Sequence, residues 1–98
     1  MVKHIVFWNL KETAEGKTKE ENAAIIKAGL EDLVGKIDGL EKAQVSRGIN
    51  PKGFDLCLYS EFASREALAF YQDHPLHDQV RQYVHKVIDR REVFDSEE

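Results

Sequence analysis

Val2-Lys3-His4-Ile5-Val6-Phe7-Trp8-Asn9-Leu10 is the stretch on which the fold turns. It is rich in β-branched and aromatic residues and stops at a charged run, Lys11 to Lys17, so it reads as a first strand. Alternation places His4, Val6, Trp8 and Leu10 on one side and Ile5 and Phe7 on the other. Large apolar groups therefore lie on both faces, and neither face is suited to full exposure to water.

Downstream, Thr18-Lys19-Glu20-Glu21 is a capping box that satisfies orphan amide donors at a helix start. Apolar residues at Ala23, Ile26, Leu30, Leu33, Val34 and Ile37 continue a helical stripe to about Gly39. Gly29 and Gly35 within it indicate either close backbone approach or early fraying. Glu41 to Ile49 reads as a weaker strand, and Asn50-Pro51-Lys52-Gly53 as a hairpin turn. The next strand is Phe54 to Phe62, with Phe54, Leu56, Leu58 and Phe62 on one face and Cys57 and Tyr59 on the other. Ser64 caps a helix to about Asp73, Pro75 breaks it, and a further helical turn runs from Leu76 to about Val84. Val87 to Phe94 alternates with charges as a more exposed strand, and residues 95–98 form a solvated acidic tail.

Strand, helix, strand, strand, helix, strand is the split βαβ order of an α+β, ferredoxin-like fold over a single domain, residues 1–98. Such a sheet carries both helices on one face. The two best strands are apolar on both, and each large side chain buried stabilises by about 1.5–3 kcal/mol. The expected assembly is a homodimer joined through the open sheet faces.

Composition narrows the function. The formal net charge of −4 and the absence of an isolated Lys/Arg cluster argue against nucleic-acid binding. One cysteine, Cys57, excludes an internal disulfide and any multi-cysteine metal site. The N-terminal apolar run is too short for a membrane span and lacks a signal-peptide cleavage pattern, so a cytoplasmic location is expected.

The chemistry concentrates in Tyr71-Gln72-Asp73-His74-Pro75-Leu76-His77. An imidazole titrates nearest neutrality, and a phenol within reach orients or donates to what the imidazole attacks. The competing explanations are structural: Tyr71 sits at core spacing with Ala67 and Leu68, and His74 before Pro75 suits a helix cap. His4, on an apolar strand face, fits either one internal hydrogen bond or a role orienting His77. Trp8 and Phe7 suit core packing or the lining of an apolar cavity. His85 is expected in solvent. His-x-x-His interrupted by proline is a poor transition-metal pattern, so no metal and no cofactor are expected.

Val2-Lys3-His4-Ile5-Val6-Phe7-Trp8, Ile37-Asp38-Gly39-Leu40, Phe62-Ala63-Ser64 and Tyr71-x-x-His74-Pro75-x-His77 together resemble the stress-responsive α/β-barrel (Dabb) family over nearly the whole chain. The resemblance implies a dimeric α+β barrel of two ferredoxin-like protomers. It also implies a cofactor-independent cyclase, lyase or isomerase chemistry, if the chain is catalytic. In a polyketide cyclase of the family the catalytic tyrosine and histidine fall on Tyr71 and His77, and a first-strand histidine on His4. Two polar pocket residues of that enzyme fall on Leu30 and Leu56, so its substrate does not transfer. On this basis His77 is the expected base, Tyr71 the donor, and His4 the group that sets the tautomer. His74, Trp8, Leu30 and Leu56 are the expected ligand contacts. A further member implies magnesium on backbone carbonyls matching Val34, Ile37 and Leu40. The expected ligand is a small, partly apolar carbonyl compound; the alternative is a non-catalytic stress-associated binding or assembly protein.

Overall fold

Burial along Val2–Leu10 alternates as its side-chain pattern dictates: Val2, His4, Val6, Trp8 and Leu10 are buried, while Lys3, Ile5, Phe7 and Asn9 are partly exposed. In the computed structural model, which describes residues 1–98, this stretch is strand β1 (Val2–Leu10). The charged run after it holds a minute hairpin, β2 (Thr13–Ala14) and β3 (Lys17–Thr18), that turns through Glu15 and Gly16 at φ of 52° and 72°.

The capping box forms in full at the start of α1 (Lys19–Glu31): Glu21 N–H donates to Thr18 Oγ1 at 3.2 Å and Thr18 N–H to the Glu21 carboxylate at 2.9 Å. Regular helix ends at Glu31, eight residues short of the expected exit at Gly39. Tighter hydrogen bonds from Leu33 to Leu30 and from Val34 to Glu31 replace it, and Gly35 takes φ +88°. Leu33 and Ile37 remain buried, so the apolar periodicity outlasts the helix that suggested it. The two glycines divide the alternatives between them. Gly29 lies under Val80, whose Cγ1 would be 3.2 Å from an added Cβ, whereas Gly35 sits in open space beyond the helix end.

β4 (Leu40–Arg47) and β5 (Leu56–Phe62) are joined through the expected turn, with Gly53 N–H donating to the Asn50 carbonyl at 2.9 Å. Ser64 then caps α2 (Arg65–Asp73), its Oγ accepting Ala67 N–H at 3.1 Å. Pro75 ends α2 and also opens α3 (Pro75–Val87), a helix of 13 residues that outruns the expected Leu76 to Val84 segment at both ends. Proline at the first helical position loses nothing, because its missing N–H would have been an orphan there.

The last strand, β6 (Ile88–Glu97), runs through residues expected to form a loose acidic tail. Pairing with β1 extends to Val2 opposite Glu97, Asp95 meets His4, and Lys3 pairs with Glu98 at 2.7 Å. An edge strand tolerates such charges because one side of it stays in water. The sheet order is β4-β5-β1-β6, antiparallel throughout, with the helices over the face that carries the core. This is the α+β, ferredoxin-like βαββαβ order, its second helix divided in two. Cross-strand register puts Ile5, Phe7, Tyr59 and Phe94 together on the opposite face, where Phe94 is 58% exposed.

Candidate active-site cavity

Where α3 passes over β1 and β6, side chains leave a cavity of about 270 Å³. Its apolar walls include Val6, Leu30, Leu58 and Val84; its polar groups include His4, Tyr71 and His77. β1 delivers His4 and Trp8 from the buried face, α2 delivers Tyr71 from its last turn, and α3 delivers His77 from its first.

Tyr71 and His77 are stacked, ring centroids 4.1 Å apart and planes inclined by 29°. Tyr71 is almost wholly buried, and its hydroxyl has no hydrogen-bond partner in the chain. Burial pushes the phenol above its ordinary value of 10, so near neutrality it is a donor and not a base. Burial also lowers the proton affinity of His77 below the ordinary 6.5, and the charges of Arg81 and His4 add to this against the opposing Gln72 carbonyl and Asp78. The neutral imidazole is therefore favoured. Its Nδ1 lies 3.4 Å from the Gln72 carbonyl, which as an acceptor selects the Nδ1–H tautomer and leaves the Nε2 lone pair free.

The carbonyl of Gln72, and not His4, thus sets the tautomer of His77. His4 has its own partner, Asp95 Oδ1, at 2.5 Å from Nδ1. The imidazole is buried and the carboxylate 44% exposed, so the pair joins the cavity to the outer edge of β6. His74 stands outside the cavity as the N-cap of α3, Nδ1 accepting Leu76 N–H at 3.1 Å, and borders a separate surface cleft with Phe70. Leu56 is likewise absent from the walls; it is the cross-strand partner of Trp8 and borders the β4–β5 loop. Leu30 and Trp8 do line the cavity, and the Trp8 indole N–H is buried with no partner in the chain.

Arg81, His85 and Arg91 also border the cavity; sequence reasoning passed over the two arginines, while His85 is exposed, as expected, at the cavity's rim. The signal was present: His77, Arg81, Val84, His85 and Ile88 recur at helical spacing, and the first three lie within the expected Leu76 to Val84 helix, but charged residues among them read as a solvated face. The carbonyls of Val34, Ile37 and Leu40 do not form a helix terminus. Ile37 O accepts Leu40 N–H at 3.2 Å, Leu40 opens β4, and no three His, Cys, Asp or Glu side chains gather anywhere as a metal site.

Strand order and one-sided helices define the class, a ferredoxin-like α+β protein. Within that class the chain belongs to the stress-responsive A/B barrel domain (Dabb) family, whose model matches residues 2–98. A dimeric, ferredoxin-like protein of unknown function from Bacteroides fragilis is 30% identical, with 98% of this chain and 94% of that one covered at a TM-score of 0.83. A Dabb-family protein from Mesorhizobium loti is 23% identical over 99% and 95% of the two chains, TM-score 0.76. The hydroxynitrile lyase of Passiflora edulis shares the fold at 16% identity, TM-score 0.78, over 97% and 90%. No curated protein matches the sequence. No helix is long and apolar enough to cross a membrane.

Proposed function

We propose that this chain is a homodimer joined through its open sheet face, and that each protomer binds a small, partly apolar carbonyl compound in the cavity beneath α3. The observation that carries the binding assignment is the stacked Tyr71–His77 pair on an unfilled cavity: a free phenol beside an imidazole held neutral. Tyr71 donates to the ligand's carbonyl oxygen, and His77 Nε2 is placed to remove a proton from the adjacent carbon. The charge then developing on oxygen is met by the phenol. His4, anchored by Asp95, faces the same space as a positioning group.

Dimeric relatives of the same fold support the assembly. A purely architectural protein has no use for an open cavity of this size, so the binding assignment outranks it. A single free cysteine suits a reducing compartment such as the cytoplasm. A thermal-shift screen of small ketones, aldehydes and β-dicarbonyl compounds tests the proposal: ligands should raise the melting temperature of the native chain and leave His77→Ala unmoved. Equal stabilisation of both proteins would place the ligand elsewhere.

A further inference from the structure

The protein is acidic overall, with 18 Asp and Glu against 14 Lys and Arg. Its cavity is the reverse: among the lining residues are two arginines and three histidines, and not one carboxylate. Arg81 on α3 is held by Asp78, one helical turn back. Arg91 on β6, opposite Trp8 on the helix-bearing face of the sheet, makes no ion pair and no hydrogen bond within the chain. A guanidinium left free at the mouth of a cavity, in a chain with acids to spare, is suited to an anion arriving from outside. Its planar fork matches a carboxylate with two parallel hydrogen bonds.

The remaining lining is consistent with one end of a ligand being charged and the rest not. Leu30, Leu58 and Val84 offer no polar atom to a ligand body, and Tyr71 offers a donor farther in. We infer that the cavity takes a carboxylate-bearing ligand, its head group on the rim at Arg91 with Arg81 behind it, its apolar body on Leu30, Leu58 and Val84. This rests on the proposed carbonyl-binding function and narrows it to an oxo acid. Arg91 selects the charged head group, and Tyr71 with His77 addresses the carbonyl.

Titration calorimetry of the full chain with benzoylpropionate, its primary amide and inorganic phosphate tests the inference. The acid should bind at least about tenfold more tightly than the amide, the loss expected when a charge-assisted contact is removed. Arg91→Gln should abolish that preference while leaving amide affinity and melting temperature unchanged, and Arg91→Lys should restore part of it. Equal affinity for acid and amide overturns the carboxylate assignment alone. So does phosphate binding as tightly as the acid, which marks a bare anion site. Failure of acid and amide alike, in shorter and longer homologues too, overturns the carbonyl cavity itself and this inference with it.

Discussion

At the residue scale the Asp95–His4 pair is the contact most easily missed, because it joins the first strand to what reads as a disposable acidic end. His4 is 4% exposed, so its Nδ1–H has little access to water once the carboxylate is gone. An orphaned buried donor costs about 1–3 kcal/mol, and the low end applies here because Asp95 lies at the surface and water can enter in its place. Asp95→Ala should therefore lower the melting temperature by about 4–8 °C, whereas Glu92→Ala on the same strand should change it little. A calorimetric scan of the two variants decides it. His77 makes the second prediction. Its folded-state proton affinity is depressed, so the unfolded chain binds more protons once pH falls below the ordinary 6.5. Stability associated with this group is complete above that pH and is lost as pH falls through the lower, folded-state value. Melting curves from pH 8 to 5 should show a steeper acid decline for the native protein than for His77→Gln; parallel curves would mean the imidazole titrates normally.

At the scale of elements, the connection from α1 to β4 fixes how closely α2 can approach. Gly39 holds φ +88°, and a Cβ built there would come 2.5 Å from Ala67 Cβ on α2. The left-handed conformation costs a non-glycine residue about 1–2 kcal/mol, and the clash adds to it. Gly39→Ala should thus destabilise by about 2 kcal/mol or more. Gly29→Ala is the informative contrast: alanine gains about 1 kcal/mol in helix propensity, but Val80 Cγ1 at 3.2 Å must give way, leaving a net change near zero. Denaturant titration of both variants tests the pair together. The elements most legible in the sequence were those whose signals are local. The capping box of α1, the β4–β5 turn and the alternation of β1 and β5 each need only a few neighbouring residues. Those misjudged depend on distant partners. α1 was read too long because Leu33 and Ile37 stay apolar for the core after the backbone has left helical geometry. α3 was read too short because Pro75 was taken as a break, when proline also begins helices. β6 was cut short because the acids that lengthen it are admitted by an edge position and by His4, neither of which is visible from the strand itself. In the site, Tyr71, His77 and His4 were recoverable from residue type and motif. Arg81 and Arg91 fell inside the expected helix and strand, but a charged residue there reads as a solvated face, and only the packing of α3 against the sheet turns it to a cavity rim.

For the whole molecule the decisive surface is the sheet face that the helices leave open. Ile5, Phe7, Tyr59 and Phe94 share it, and charges surround them: Lys42 lies over the Tyr59 ring, Arg90 over Phe54, and Glu61 accepts from the Tyr59 hydroxyl at 2.5 Å. An apolar centre with a polar border is the anatomy of an interface. If two copies meet by a twofold axis, each residue of the patch is used twice, so a single substitution acts doubly. Phe94→Asp removes two exposed rings and places two carboxylates in an apolar contact, which should weaken association by at least about 3 kcal/mol, or more than a hundredfold. Phe70 supplies the control. It is 53% exposed, nearly as much as Phe94, but sits on α2 away from the open face. Sedimentation equilibrium at micromolar concentration should give twice the 11.3 kDa chain mass for the native protein and for Phe70→Asp, and the single-chain mass for Phe94→Asp. The cavity and the apolar open face lie on opposite sides of the sheet, so a Phe94→Asp monomer that still binds a carbonyl ligand would separate assembly from binding. A monomer that loses binding would instead mean that pairing holds β1, and with it His4 and Trp8, in the register the cavity needs.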